Sequence, residues 1–137
     1  MAVLAVALAL ALAAPAGASG KLVLGSRSFA PNGWGWGTAE PKALFNGGDP
    51  SGSVSSIRWR RWGGPTAIGF GRNPIFKPGG GYYRRPAKIE LRAEDVGRCD
   101  GRRAYRRLSV RVPSHPGGKL GPWRLWAGAS DLCGPPY

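Results

Sequence analysis

The side chains able to do chemistry in this chain are few, and their spacing argues against a catalytic set. There is one histidine, His115, inside the Pro-bounded run Pro113-Ser114-His115-Pro116-Gly117-Gly118. A Ser-His-Asp arrangement would have to recruit it from that turn, and no serine stands in a nucleophile-elbow context. Seven acidic residues are present. Glu94 and Asp95 are adjacent in an expected turn and Asp100 follows Cys99. Several acids sit among arginines, which keep a carboxylate ionised, and none has a glycosidase-like context. A wall-directed hydrolase would therefore depend on His115 or on one perturbed carboxylate in a cleft. We assign no catalytic residue and no cofactor from the sequence.

The two cysteines, Cys99 and Cys133, are too few for a metal site. In an exported chain they most simply close one disulfide. A loop of about 35 residues is then worth about 3.5–4 kcal/mol in the chain-entropy account. The bridge would tie the tail to the turn between two core strands. The run Asn46-Gly47-Gly48-Asp49-Pro50-Ser51-Gly52 invites a phosphate-cradle reading, but no Gly-Lys-Ser/Thr follows it. Asp49 alone cannot hold calcium, so the run is a turn.

Charge is the strongest compositional signal. The formal charge is +13, the pI is near 11.1, and 15 of the 20 basic residues are arginine. Such a field attracts polyanions in general. The bland alternative is a high-GC genome, in which Arg, Ala, Gly and Pro rise together. Arg58, Arg60, Arg84, Arg85, Arg106 and Arg107 are the candidate charge carriers. Tyr82 and Tyr83 are candidate binding rings in a long loop that interleaves aromatic and basic residues, with Trp34 and Trp36 as further stacking candidates. The expected partners are an anionic cell-wall polymer, an acidic glycan or extracellular nucleic acid, held by non-specific electrostatics on a monomer.

These residues need elements to position them, and period-two patterning predicts strands. The stretch Ile57 to Gly71 reads as a hairpin, with Gly63, Gly64 and Pro65 at its reversal. Placing Trp62 opposite Thr66 sets Trp59 opposite Gly69 and Ile57 opposite Gly71. An indole can then cover a residue that has no side chain. Arg58 and Arg60 fall on the other face beside Phe70 and Ile68, where a guanidinium on a ring contributes about 0.5–1 kcal/mol. The main role of Trp59 and Trp62 is packing; a stacking platform for sugar or base is the alternative. Ala87 to Ala93 alternates apolar residues with Lys88, Glu90 and Arg92, a solvated row. Tyr105 to Val112 repeats the design, with Leu108, Val110 and Val112 inward and Tyr105 outward. Lys21–Gly25 reads either as a first strand or as a ragged new N-terminus, and short strands at Ala43–Phe45 and Trp123–Ala127 complete an all-β fold, a small antiparallel β-sandwich or barrel.

Residues 2–14 form an uninterrupted apolar run, and Ala16-Gly17-Ala18 supplies an A-x-A cleavage site. Residues 1–18 are therefore expected to be a secretory signal peptide, although no Lys or Arg precedes the run. An uncleaved anchor is the alternative, disfavoured because a span needs roughly 20 apolar residues. Residues 19–42 form an irregular N-terminal segment and 43–137 a single β-domain. The expected location is extracellular.

Ile57, Trp59, Trp62, Gly63, Ala67 and Gly69 make the pattern I-x-W-x-x-W-G-x-x-x-A-x-G. It is followed by a Pro-led strand (Pro86 to Leu91) and by Cys99, Gly101, Tyr105, Leu108 and Val110. On these residues the chain resembles a group of small, uncharacterised secreted proteins of high-GC, actinobacterial-type bacteria. The resemblance implies export and brings no activity, catalytic residue or ligand with it. Three functions follow: a non-enzymatic cationic binding domain, a structural envelope-associated protein without a ligand, and a cell-wall hydrolase.

Overall fold

A computed structural model describes residues 21–135; the expected signal peptide lies outside the described residues. The strands are β1 (Val23–Leu24), β2 (Leu44–Phe45), β3 (Ser53–Arg60), β4 (Ala67–Asn73), β5 (Ala87–Cys99), β6 (Arg102–Arg111) and β7 (Arg124–Leu125). β3 to β6 form an antiparallel meander, with β2 on the β3 edge and β7 along β6. One expectation is corrected here. The sheet is not wholly antiparallel, because β1 runs parallel to β6, with Val23 opposite Ala104 and Leu24 opposite Tyr105. Neither a sandwich nor a closed barrel results, but one curled, mixed sheet.

The curl is covered by the segment from Leu22 to Asn46, which runs from the β6 edge to the β3 edge. Little of it is regular, yet Leu22, Leu24, Phe29, Trp36 and Leu44 are buried in the core. Buried irregular backbone must find hydrogen-bond partners, and indoles supply several of them. Trp62 Nε1–H donates to Leu22 O (3.0 Å), Trp59 to Pro41 O (2.8 Å) and Trp36 to Phe45 O (3.1 Å). Trp126 donates to the Asn46 side-chain oxygen at 2.9 Å. Each tryptophan thus covers apolar area and satisfies a polar atom of the covering segment.

The hairpin has the expected register, with Trp59 opposite Gly69. A Cβ built on Gly69 would stand 3.0 Å from Trp59 Cε3 and Cζ3, so the indole lies against the bare backbone. Gly69→Ala forces the ring away. An overpacking cost of about 1–3 kcal/mol exceeds the gain of about 0.4–1 kcal/mol from stiffening the unfolded chain. The expected result is a net loss of about 1–2 kcal/mol in a denaturant titration. An unchanged midpoint would show that the indole has room to move. Further along, the register slips between Ser55 and Arg58, and Ser56 has φ 52°. This bulge removes Ile57 from the ladder but keeps its side chain over Gly71, 3.2 Å from the position of an added Cβ.

β5 follows its pattern, with Ala87, Ile89, Leu91 and Ala93 buried. β6 departs from it. Tyr105, expected outward, is wholly buried, and Ala104 beside it is buried as well. Its hydroxyl accepts from Gly63 N (2.9 Å) and donates to Gly64 O (2.6 Å), while its ring meets Trp62 edge-on. The hairpin reversal is the partner that a buried phenol requires, and the alternation rule knows nothing of it. Cys99 and Cys133 form a disulfide as expected, with Cα atoms 5.0 Å apart. It fixes a tail whose Trp126, Ala129 and Leu132 are buried.

Candidate anion-binding groove

The outer face of the sheet carries the polar half of each strand. Cross-strand pairing places Arg58, Phe70, Glu90 and Arg111 in one row and Arg72 beside Lys88 in another. A second layer partly covers this face. After β6 the chain turns back, with Gly121 N donating to Val112 O (2.9 Å) and Pro113 bridged to Leu120. Trp123 then lies over two guanidiniums, 4.5 Å from Arg92 Cζ and 4.8 Å from Arg111 Cζ. Indole on guanidinium is a favourable pairing, and it holds the 113–121 loop above the sheet.

Between loop and sheet runs a groove of about 870 Å³, lined by Lys42, Arg58, Phe70, Arg72, Lys88, Glu90 and loop residues Gly117, Gly118 and Leu120. Its four cations are exposed. None of them is in an ion pair among the described residues, where the pairs are Arg92–Glu94, Arg106–Asp131, Arg107–Asp95 and Arg111–Glu90. Four cations against one carboxylate, itself held by Arg111, leave the groove strongly positive. Phe70 forms the floor, with Arg60 Cζ 5.1 Å from its ring centroid.

The sequence-predicted site residues do not come together. Arg58 lines the groove and Arg60 stacks on Phe70, as expected of that face. Tyr82, Tyr83, Arg84 and Arg85 belong to a separate excursion between β4 and β5. There Tyr82 stacks on Phe76 (4.4 Å between centroids) and its hydroxyl accepts from Ser51 N at 3.3 Å. Tyr83 packs against the core, and Arg84 and Arg85 are exposed. Arg106 and Arg107 are held by Asp131 (2.7 Å) and Asp95 (3.6 Å). The Arg106 hydrogen bond, with help from Cys133 N–H, pulls the Asp131 carboxyl below its ordinary range. Trp34 is exposed against Phe45, but Trp36 is buried between Phe29 and Trp126 and cannot serve as a stacking surface.

Lys42, Arg72 and Lys88 are the groove cations that sequence reasoning missed. Lys88 stood in the row read as a solvated face. Only the pairing of β4 with β5 sets Arg72 beside it.

His115 is exposed at the outer loop, its Nδ1 3.2 Å from Pro116 O. Asp100 accepts a hydrogen bond from Ser26 Oγ. Among the described residues no group of three or more His, Cys, Asp or Glu is placed to hold a metal ion. No helix there is long and apolar enough to cross a membrane. No protein-family model, curated protein or solved structure matches this chain.

Proposed function

We propose that this chain is an exported, non-enzymatic binding domain that holds an anionic polymer in the groove between the outer sheet face and the 113–121 loop. The observation that carries the reading is the set of four groove cations, Lys42, Arg58, Arg72 and Lys88, left without ion-pair partners. A cation already neutralised by a neighbouring acid has less to offer a ligand, whereas an unpaired one gives up only its counterions. The disulfide and the apolar run at residues 2–14 support an extracellular setting.

The test is binding of an anionic polymer across a salt series. Affinity is expected to fall steeply as salt rises, and replacing both Arg72 and Lys88 by alanine should weaken it about tenfold at low salt while flattening the slope. Arg98→Ala, on the far end of β5, should leave both nearly unchanged. Binding that is absent at low salt, or indifferent to salt, sinks the proposal. A second reading, a structural envelope-associated protein without a ligand, draws on the exposed Arg27, Arg61, Arg98 and Arg102, which carry charge away from the groove. That reading expects equal effects from the groove pair and from Arg98.

A further inference from the structure

We infer that the groove selects a hydroxylated anionic glycan of the uronic-acid kind, with a carboxylate on its sugar rings, and that Glu90 makes the selection. The inference rests on the anion-binding reading above and narrows its ligand.

A site built only to attract anions gains nothing from a carboxylate on its floor, because like charges repel across a few ångströms. Glu90 is nevertheless there, directly between Phe70 and Arg111 in the cross-strand row. Arg111 both fixes and partly neutralises it. Its Nε and Nη2 donate to one oxygen, Oε2, the first at 2.9 Å. Oε1 has no hydrogen bond to the described residues, and the side chain is 21% exposed. An ionised carboxylate oxygen is a strong acceptor that recognises donors such as O–H groups.

The floor therefore presents three kinds of surface side by side. Phe70, with Arg60 over its ring on one side, offers the rest of its apolar surface to ring C–H groups. Glu90 offers an acceptor to hydroxyls. Arg58, with Arg72 and Lys88 two residues along their strands (about 7 Å away), offers cations to carboxylates. A uronate ring carries all three complements within one unit. A polyphosphate has charge but neither the ring nor the hydroxyls, and a nucleic acid brings a dense phosphate backbone close to Glu90. On the wall, Gly117 leaves open space where a Cβ would stand, which permits close approach of a ring, whereas the His115 imidazole fills that place at Gly118.

The experiment compares polygalacturonate oligomers, polyphosphate of matched charge and a single-stranded DNA oligonucleotide, titrated into the full chain at low salt. The wild-type chain is expected to bind the polyuronate tightest. Glu90→Ala should weaken the polyuronate about tenfold, the loss of a charge-assisted hydrogen bond, and should strengthen polyphosphate and DNA. Glu90→Gln keeps one acceptor oxygen, which the Arg111 donors claim, and turns an amide N–H donor toward the groove, so it should lose polyuronate affinity much as Glu90→Ala does while sharing the gain for the other two. Polyphosphate or DNA bound more tightly than polyuronate by the wild type would overturn the selection, and so would polyuronate affinity that rises in Glu90→Ala. The wild-type ranking needs no variant and decides the ligand class even if Glu90→Ala fails to fold; the isosteric Glu90→Gln then tests the part of Glu90. Absence of binding to any of the three at low salt would instead remove the groove reading itself.

Discussion

Tyr105→Ala lowers the stability of this protein by about 3–5 kcal/mol, the range for deleting a buried aromatic side chain, and Tyr105→Phe by about 2 kcal/mol. The two variants separate two jobs of one side chain. The ring fills space in the core and meets Trp62 at 4.9 Å between centroids. The hydroxyl closes the hairpin reversal, taking the Gly63 N–H and donating to Gly64 O. Phenylalanine keeps the packing but loses both hydrogen bonds; Gly63 is exposed and Gly64 half-buried, so the cost is that of two net hydrogen bonds at about 1 kcal/mol each rather than of stranded buried groups. Burial holds the Tyr105 phenol above the ordinary tyrosine range, with the Gly63 N–H pulling the other way. Denaturant midpoints of the two variants provide the check. A phenylalanine variant as stable as the wild type would mean that water makes good both bonds.

Removing the disulfide by Cys99→Ala together with Cys133→Ala is expected to cost about 3–4 kcal/mol and to lower the melting temperature by about 10–15 °C. The bridge closes a loop of sequence separation 34, and most of the loss comes from freeing the unfolded chain. The native state opposes further loss, because the tail keeps other anchors. Leu132 is fully buried, Leu132 N donates to Arg106 O (2.8 Å), and Ser26 N donates to Leu132 O (2.9 Å). Thermal unfolding of the double variant, or of the wild type under reducing agent, measures the effect. A shift of only a degree or two would assign the tail's attachment to Trp126 and Leu132 rather than to the bridge.

The groove also bears on what the charge of +13 does. Four of the arginines sit in ion pairs with acids, and two of those, Arg92 and Arg111, hold Trp123 in place as well. Composition counts all basic residues alike, but an exposed pair contributes at most about 1 kcal/mol to stability and little net field. What a ligand meets is the unpaired remainder and its arrangement.

Several features were legible in the residues alone because they depend on neighbours in sequence. Alternation of apolar and charged side chains from Ala87 to Ala93 defined a half-buried strand. The glycine-rich reversal after Trp62 set the hairpin register, down to Trp59 over Gly69, since a two-strand turn leaves little choice of pairing. With only two cysteines, the chain had one bridge to make. Tertiary structure decided what depends on distant partners. Tyr105 turned inward because a reversal some forty positions earlier offers two backbone groups to its hydroxyl. Leu22, Leu24, Phe29, Trp36 and Leu44 are buried within a largely irregular segment whose polar atoms are reached by indoles from β3, the following turn and the tail. The groove draws Lys42 from that covering segment, Arg58, Arg72 and Lys88 from three strands, and its wall from the loop after β6. No local pattern brings those five stretches together; only the lateral order of strands in the curled sheet does.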